Sequence, residues 1–101
     1  MPNTSPPTLT STEFREKARL AAARSRVDFG IWVGASAGNL DEAKRLADGG
    51  PACGIKVFMG ASTGPLLVDD ATLVRFFEGT SALMGVHAED EGVLERYRLE
   101  W

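Results

Sequence analysis

Residues 54–60, Gly-Ile-Lys-Val-Phe-Met-Gly, constrain this chain more than any other stretch. They read as a strand with a lysine at its centre. Alternation sends Ile55, Val57 and Met59 to one face and Gly54, Lys56 and Phe58 to the other. Both faces are mostly apolar, which fits a strand covered on both sides, as in a parallel sheet. An ammonium inside such a sheet is costly unless it is paired or chemically altered. The plain explanation is a lysine near a strand end, paired with a carboxylate such as Glu89. The alternative is that Lys56 does chemistry.

The rest of the chain repeats one pattern. Residues 1–9 hold three prolines, which excludes a helix and leaves an ordered loop. Thr10-x-x-Glu13 is a capping-box signature, and Phe14, Ala18, Ala21 and Ala22 follow as an apolar helical stripe. Residues 27–35 read as a strand, with Val27, Phe29, Ile31 and Val33 on one face and glycines interleaved with Trp32 on the other. A helix is expected over residues 40–47, stopped by Asp48-Gly49-Gly50-Pro51. After the lysine strand comes a small-residue loop that includes Thr63. Asp69 or Asp70 then caps a third helix that buries Leu73, Val74 and Phe77. Residues 82–88 form a third strand, and a fourth helix follows with Val93, Leu94 and Tyr97 as its apolar positions.

Loop, helix, strand, helix, strand, helix, strand, helix is the signature of repeated βα units. Three such strands fit half of a doubly wound sheet or an arc of a (β/α)8 barrel. The glycine-rich strand faces favour the barrel, where small and large side chains must interleave inside a curved wall. A barrel needs about 250 residues, so 101 residues read as one partial domain, residues 1–101 of a larger protein.

Composition removes other classes. With 44% hydrophobic and 25% charged residues, the chain is an ordinary globular one. A net charge of −3 without a basic stripe argues against a nucleic-acid partner. No apolar run is long enough for a bilayer, and the start of the chain has no secretory pattern. A cytoplasmic setting is expected. Cys53, the one cysteine, reads as a buried small hydrophobe.

In βα folds, reactive groups sit at the C-terminal ends of the strands. Lys56 and His87, the one histidine, then project from the same face of neighbouring strands. Asn3 lies in a loop at that end. Two chemistries suit an inward lysine beside a histidine. A lysine amine can form a Schiff base with a carbonyl substrate. Alternatively, the amine takes up carbon dioxide, and the resulting carbamate bridges two metal ions while His87 ligates one of them. The residues alone leave both open.

Four stretches together resemble the dihydroorotases of the amidohydrolase superfamily. They are Met1-Pro2-Asn3-Thr4-x-Pro6-Pro7-Thr8, Gly54-Ile55-Lys56-Val57-Phe58-Met59-Gly60-x-Ser62-Thr63-Gly64, Leu67-Val68-Asp69-Asp70 and Val86-His87-Ala88-Glu89. The lysine and His-Ala-Glu strands are shared with hydantoinases and dihydropyrimidinases; the Met-Pro-Asn-Thr loop points more narrowly to dihydroorotase. The resemblance implies a metal-dependent (β/α)8 hydrolase in pyrimidine biosynthesis that reversibly opens dihydroorotate to N-carbamoyl-aspartate. It implies that Lys56, as a carbamate, bridges two zinc ions, that His87 ligates the second, and that Asn3 holds the substrate carboxylate. Glu89 becomes a partner of a ligand. The expected partner is the small-molecule substrate, and the complete protein is a candidate homo-oligomer. A hydantoinase, an allantoinase or a non-catalytic barrel relative are the alternatives. In that family a His-x-His pair and a substrate-binding arginine lie upstream of the Met-Pro-Asn-Thr loop, and a further histidine and the catalytic aspartate lie downstream of the stretch that this chain resembles. The catalytic aspartate is therefore expected outside these residues, which alone should bind metal weakly and not turn over.

Overall fold

The computed structural model describes residues 1–60, 62 and 64–98. The readings that touch Ala61, Thr63 and residues 99–101 lie outside the described residues. The elements are α1 (Ser11–Arg24), β1 (Trp32–Gly34), α2 (Leu40–Ala47), β2 (Gly54–Phe58), a 3-10 turn (Gly64–Leu66), α3 (Asp70–Gly79), β3 (Met84–His87) and α4 (Glu91–Arg98). The strands form one parallel sheet in the order β1-β2-β3. Both crossovers step in the same direction, and α2 and α3 pack against one another.

The helix starts follow from local chemistry. At Thr10 the capping box is complete, with Glu13 reaching back to the Thr10 backbone N–H at 2.9 Å. The Thr10 hydroxyl holds the Glu13 carboxyl below its usual range. At α3, Asp69 and not Asp70 is the cap, accepting from the Thr72 N–H at 2.8 Å. α2 begins differently. Asn39 accepts from the Ser36 N–H and donates to the carbonyls of Leu9 and Gly34. One amide thus ties the N-terminal loop, the end of β1 and the start of α2 together.

The core lies between the sheet and the helices. Phe14, Ile31, Val33, Ala43, Leu46, Ile55, Val57, Val68 and Phe76 are buried in it. Several expected core positions are not. Val27 is 76% exposed and Phe29 48% exposed, because the paired part of β1 is only three residues long. Ala22 is exposed as well. On α3, Thr72 and Phe76 face inward while Val74 and Phe77 are exposed. α4 buries none of its described residues. Cys53 is exposed, not buried, with its thiol donating to the Ile31 carbonyl.

Glu42 on α2 joins two helices. Its carboxylate accepts from the Ser11 N–H at 2.7 Å and the Ser11 hydroxyl at 2.5 Å, and it pairs with Arg45. The Ser11 hydroxyl, then the Ser11 N–H, then Arg45 draw its pKa down to about 2. Because the folded pKa lies below the ordinary carboxylate value, this contribution is whole above that value. It is lost as pH falls toward about 2. The melting temperature should therefore decline through that acid window, and Glu42→Gln should flatten the decline in a thermal scan series.

Candidate metal centre

The face of the sheet turned away from the core carries the chemistry. Register places Gly34, Lys56 and Gly85 in one row across β1, β2 and β3. The next row pairs Phe58 with His87. Trp32 and Gly54 form the row below. Lys56 is thus flanked on both neighbouring strands by residues without side chains, and neighbouring side chains fill the space over them: Leu66, Leu9 and Pro2 over Gly34, and the Trp32 ring over Gly85. Beneath it the indole of Trp32 lies across Gly54 and Gly85. A Cβ on Gly54 would sit 2.7 Å from the Trp32 ring and 2.7 Å from the Leu83 carbonyl oxygen. Gly54→Ala should therefore cost about 1–3 kcal/mol by overpacking, measured as a lower urea midpoint.

Lys56 is half-buried, and among the described residues no carboxylate pairs with it. Its Nζ lies 5.0 Å from the centroid of the Phe58 ring. The plain reading of Lys56 as the partner of Glu89 is not what the structure shows. Glu89 lies beside His87 instead, with Oε2 3.3 Å from Nε2. That approach is within ion-pair range but is not aligned as a hydrogen bond, and among the described residues the buried Nε2 has no hydrogen-bond partner. A buried, unpartnered ring nitrogen is costly in a purely structural histidine. It suits a group that awaits a ligand.

The N-terminal loop reaches the same end of the sheet. Pro2 and Thr8 are fully buried, and the Thr8 carbonyl accepts from the Gly34 N–H at 2.8 Å. Pro2, Leu9 and Leu66 close over Gly34. Asn3, next to Pro2, is exposed. No hydrogen bond or ion pair joins Asn3 to Lys56 or His87 among the described residues. The structure therefore brings Lys56 and His87 to one face on adjoining strands, and it leaves Asn3 at the loop beside them. No group of three or more His, Cys, Asp or Glu side chains converges among the described residues. A separate apolar groove runs between Pro6 of the N-terminal loop and Glu13, Lys17 and Leu20 of α1. It is open to solvent, and neither Lys56 nor His87 lines it.

No family-level sequence profile matches the chain. Individual proteins do. An L-hydantoinase of Paenarthrobacter aurescens is 38% identical over 100 residues, covering 94% of this chain and 22% of that protein. A dihydroorotase of Methanosarcina acetivorans is 38% identical over 93 residues, covering 89% of this chain and 20% of its own length. The solved structure of the L-hydantoinase (dihydropyrimidinase) from Arthrobacter aurescens superposes with a TM-score of 0.85. It is 35% identical and covers 99% of this chain and 23% of that one. The chain is homologous to a segment of the cyclic amidohydrolases.

The chain spans about a fifth of the length of the curated relatives it matches. By its likeness to the L-hydantoinase structure, its three parallel strands with helices outside form part of a (β/α)8 barrel. The Lys56 face is then the barrel interior, and the loops around Pro2 and Leu66 lie at the C-terminal rim, where such barrels hold their active sites. Sequence reasoning gave no site role to Trp32 or Phe58. The signal for both was present: a large ring at the same parity as Lys56 on a glycine-rich face.

Proposed function

We propose that this chain supplies part of the active site of a dihydroorotase, which reversibly hydrolyses the cyclic amide of dihydroorotate to N-carbamoyl-aspartate in pyrimidine biosynthesis. In this reading Lys56, as a carbamate, and His87 would hold zinc. Asn3 holds the carboxylate of the substrate. One observation supports the reading: an amine with no counter-ion among the described residues, and a buried imidazole nitrogen with no hydrogen-bond partner among them, share one face of adjoining strands. The donor set fits the group, because zinc takes imidazole nitrogen and anionic oxygen together. Bound zinc polarises the scissile carbonyl and acidifies the attacking water. The chain's own residues orient the ligands: Glu89 beside His87, Trp32 beneath Lys56, and glycines on either side of it.

The remaining ligands and the catalytic aspartate come, on this proposal, from other parts of a larger parent protein. No helix among the described residues is long and apolar enough to cross a membrane. A second reading, a hydantoinase or allantoinase, is favoured by one observation: the L-hydantoinase match is as high as the dihydroorotase match, 38% in each case. The test is a substrate comparison on the parent protein. A kcat/KM for dihydroorotate above those for hydantoin and allantoin supports the proposal. The reverse order moves the protein to the second reading, and no turnover of any of the three makes it a non-catalytic relative.

A further inference from the structure

We infer that Phe58 is a positioning residue that seats both Lys56 and His87, and so sets how readily the pair takes a divalent metal. The inference rests on the proposal that these two residues are ligands. Phe58 is the last residue of β2 and is 5% exposed. Its side chain leaves the same face as Lys56, two residues earlier, and stands opposite His87 in the register. The Lys56 Nζ lies 5.0 Å from its centroid. The His87 ring stacks on it at 6.1 Å between centroids with 28° between planes. One ring therefore touches both reactive groups.

The ring has little freedom. The Phe58 carbonyl accepts from the Val68 N–H at 2.9 Å, and the Met59 N–H donates to the His87 carbonyl at 3.0 Å. Backbone bonds on both sides thus fix where the ring stands relative to β3. What holds the amine also matters. A carboxylate beside Lys56 would hold it as an ammonium and oppose its conversion to an anionic carbamate. The Phe58 ring attracts the ammonium by cation–π interaction before that conversion, packs against the side chain, and offers a metal no rival ligand. Glu89, the nearby carboxylate, is engaged at His87 instead.

The test uses the parent protein, stripped of metal with a chelator, in which a His87→Gln variant assigns the His87 imidazole resonances by their absence. A zinc titration in bicarbonate buffer then reads the site directly. Three proteins are compared: the wild type, Phe58→Leu, which keeps apolar bulk but removes the ring, and Phe58→Tyr, which keeps the ring. The expected result is that Phe58→Leu needs about tenfold more zinc for half-shift, the scale of a residue that orients metal ligands. Phe58→Tyr should titrate close to the wild type, with similar melting temperatures for both variants. Should Phe58→Leu lose its fold, Phe58→Met takes its place. Equal titration of the ring-less variant and the wild type overturns the inference and leaves the ligand assignment standing. So does equal weakening in the ring-less and tyrosine variants. Wild-type resonances that do not respond to zinc overturn the assignment of His87 as a ligand, and this inference with it.

Discussion

Lys56→Met in the parent hydrolase should lower kcat by about a thousandfold or more. A factor of that size is about 4 kcal/mol of transition-state stabilisation, the scale that metal polarisation of a carbonyl supplies. Methionine keeps much of the length and the apolar stem of the side chain, and Ile55 still packs between Val33 and Met84 on the other face of β2. Loss of the amine alone is then what the assay reads. Circular dichroism should show the variant folded, and metal analysis should show it depleted of zinc. If Lys56 were a surface cation at a strand end, the same substitution would change stability by less than about 0.5 kcal/mol and leave turnover intact. The Schiff-base alternative separates cleanly. Borohydride added with substrate should leave the mass of the Lys56 peptide unchanged, whereas a trapped adduct there would replace the metal account with a lyase one.

The largest effect on stability should come from Phe76→Ala. Phe76 is fully buried on α3, inside the cluster that joins Ala43 and Leu46 of α2 to Ile55 and Val57 of β2. Truncation of a buried phenylalanine costs about 3–5 kcal/mol. Domains of this size hold about 5–15 kcal/mol in total, so a large share of the stability is lost. Its neighbour provides the control. Phe77 is 57% exposed, and Phe77→Ala should stay within about 0.5 kcal/mol. Urea unfolding of the two variants gives the answer. Equal losses would mean that α3 is rotated about its axis relative to the structure described above.

That pair also shows where the sequence was readable and where it was not. The order of elements, the parallel sheet, α2 and the Thr10 capping box were all legible, because each has a local cause: alternation, helical spacing or a side chain bonding to its own backbone. The shared parity of Lys56 and His87 was legible for the same reason, since strand alternation is strict. The phase of α3 was not. Adjacent phenylalanines at 76 and 77 lie only a fraction of a turn apart, and packing against α2 decides between them. The length of β1 was not legible either. Val27 and Phe29 alternate like strand residues, but pairing depends on a neighbouring strand, and β2 begins opposite Trp32. Val93, Leu94 and Tyr97 have helical spacing and yet are exposed, because periodicity marks a face without saying what covers it. Asn39 gave one local sign, an amide at a helix start. Its reach to Leu9, 30 residues away, is a tertiary fact.

Several elements meet in one proposal: that Lys56 and His87 would be two ligands of a metal site whose other members lie elsewhere in a larger protein. The DNA on either side of this coding segment tests that most directly. The account predicts an in-frame extension upstream that carries a His-x-His pair, and one downstream that carries a further histidine and an aspartate at strand ends of the same barrel. A stop codon and a ribosome-binding site bracketing the segment would contradict it. The metal site then has no means of completion within one chain, and the likeness to the cyclic amidohydrolases describes ancestry alone.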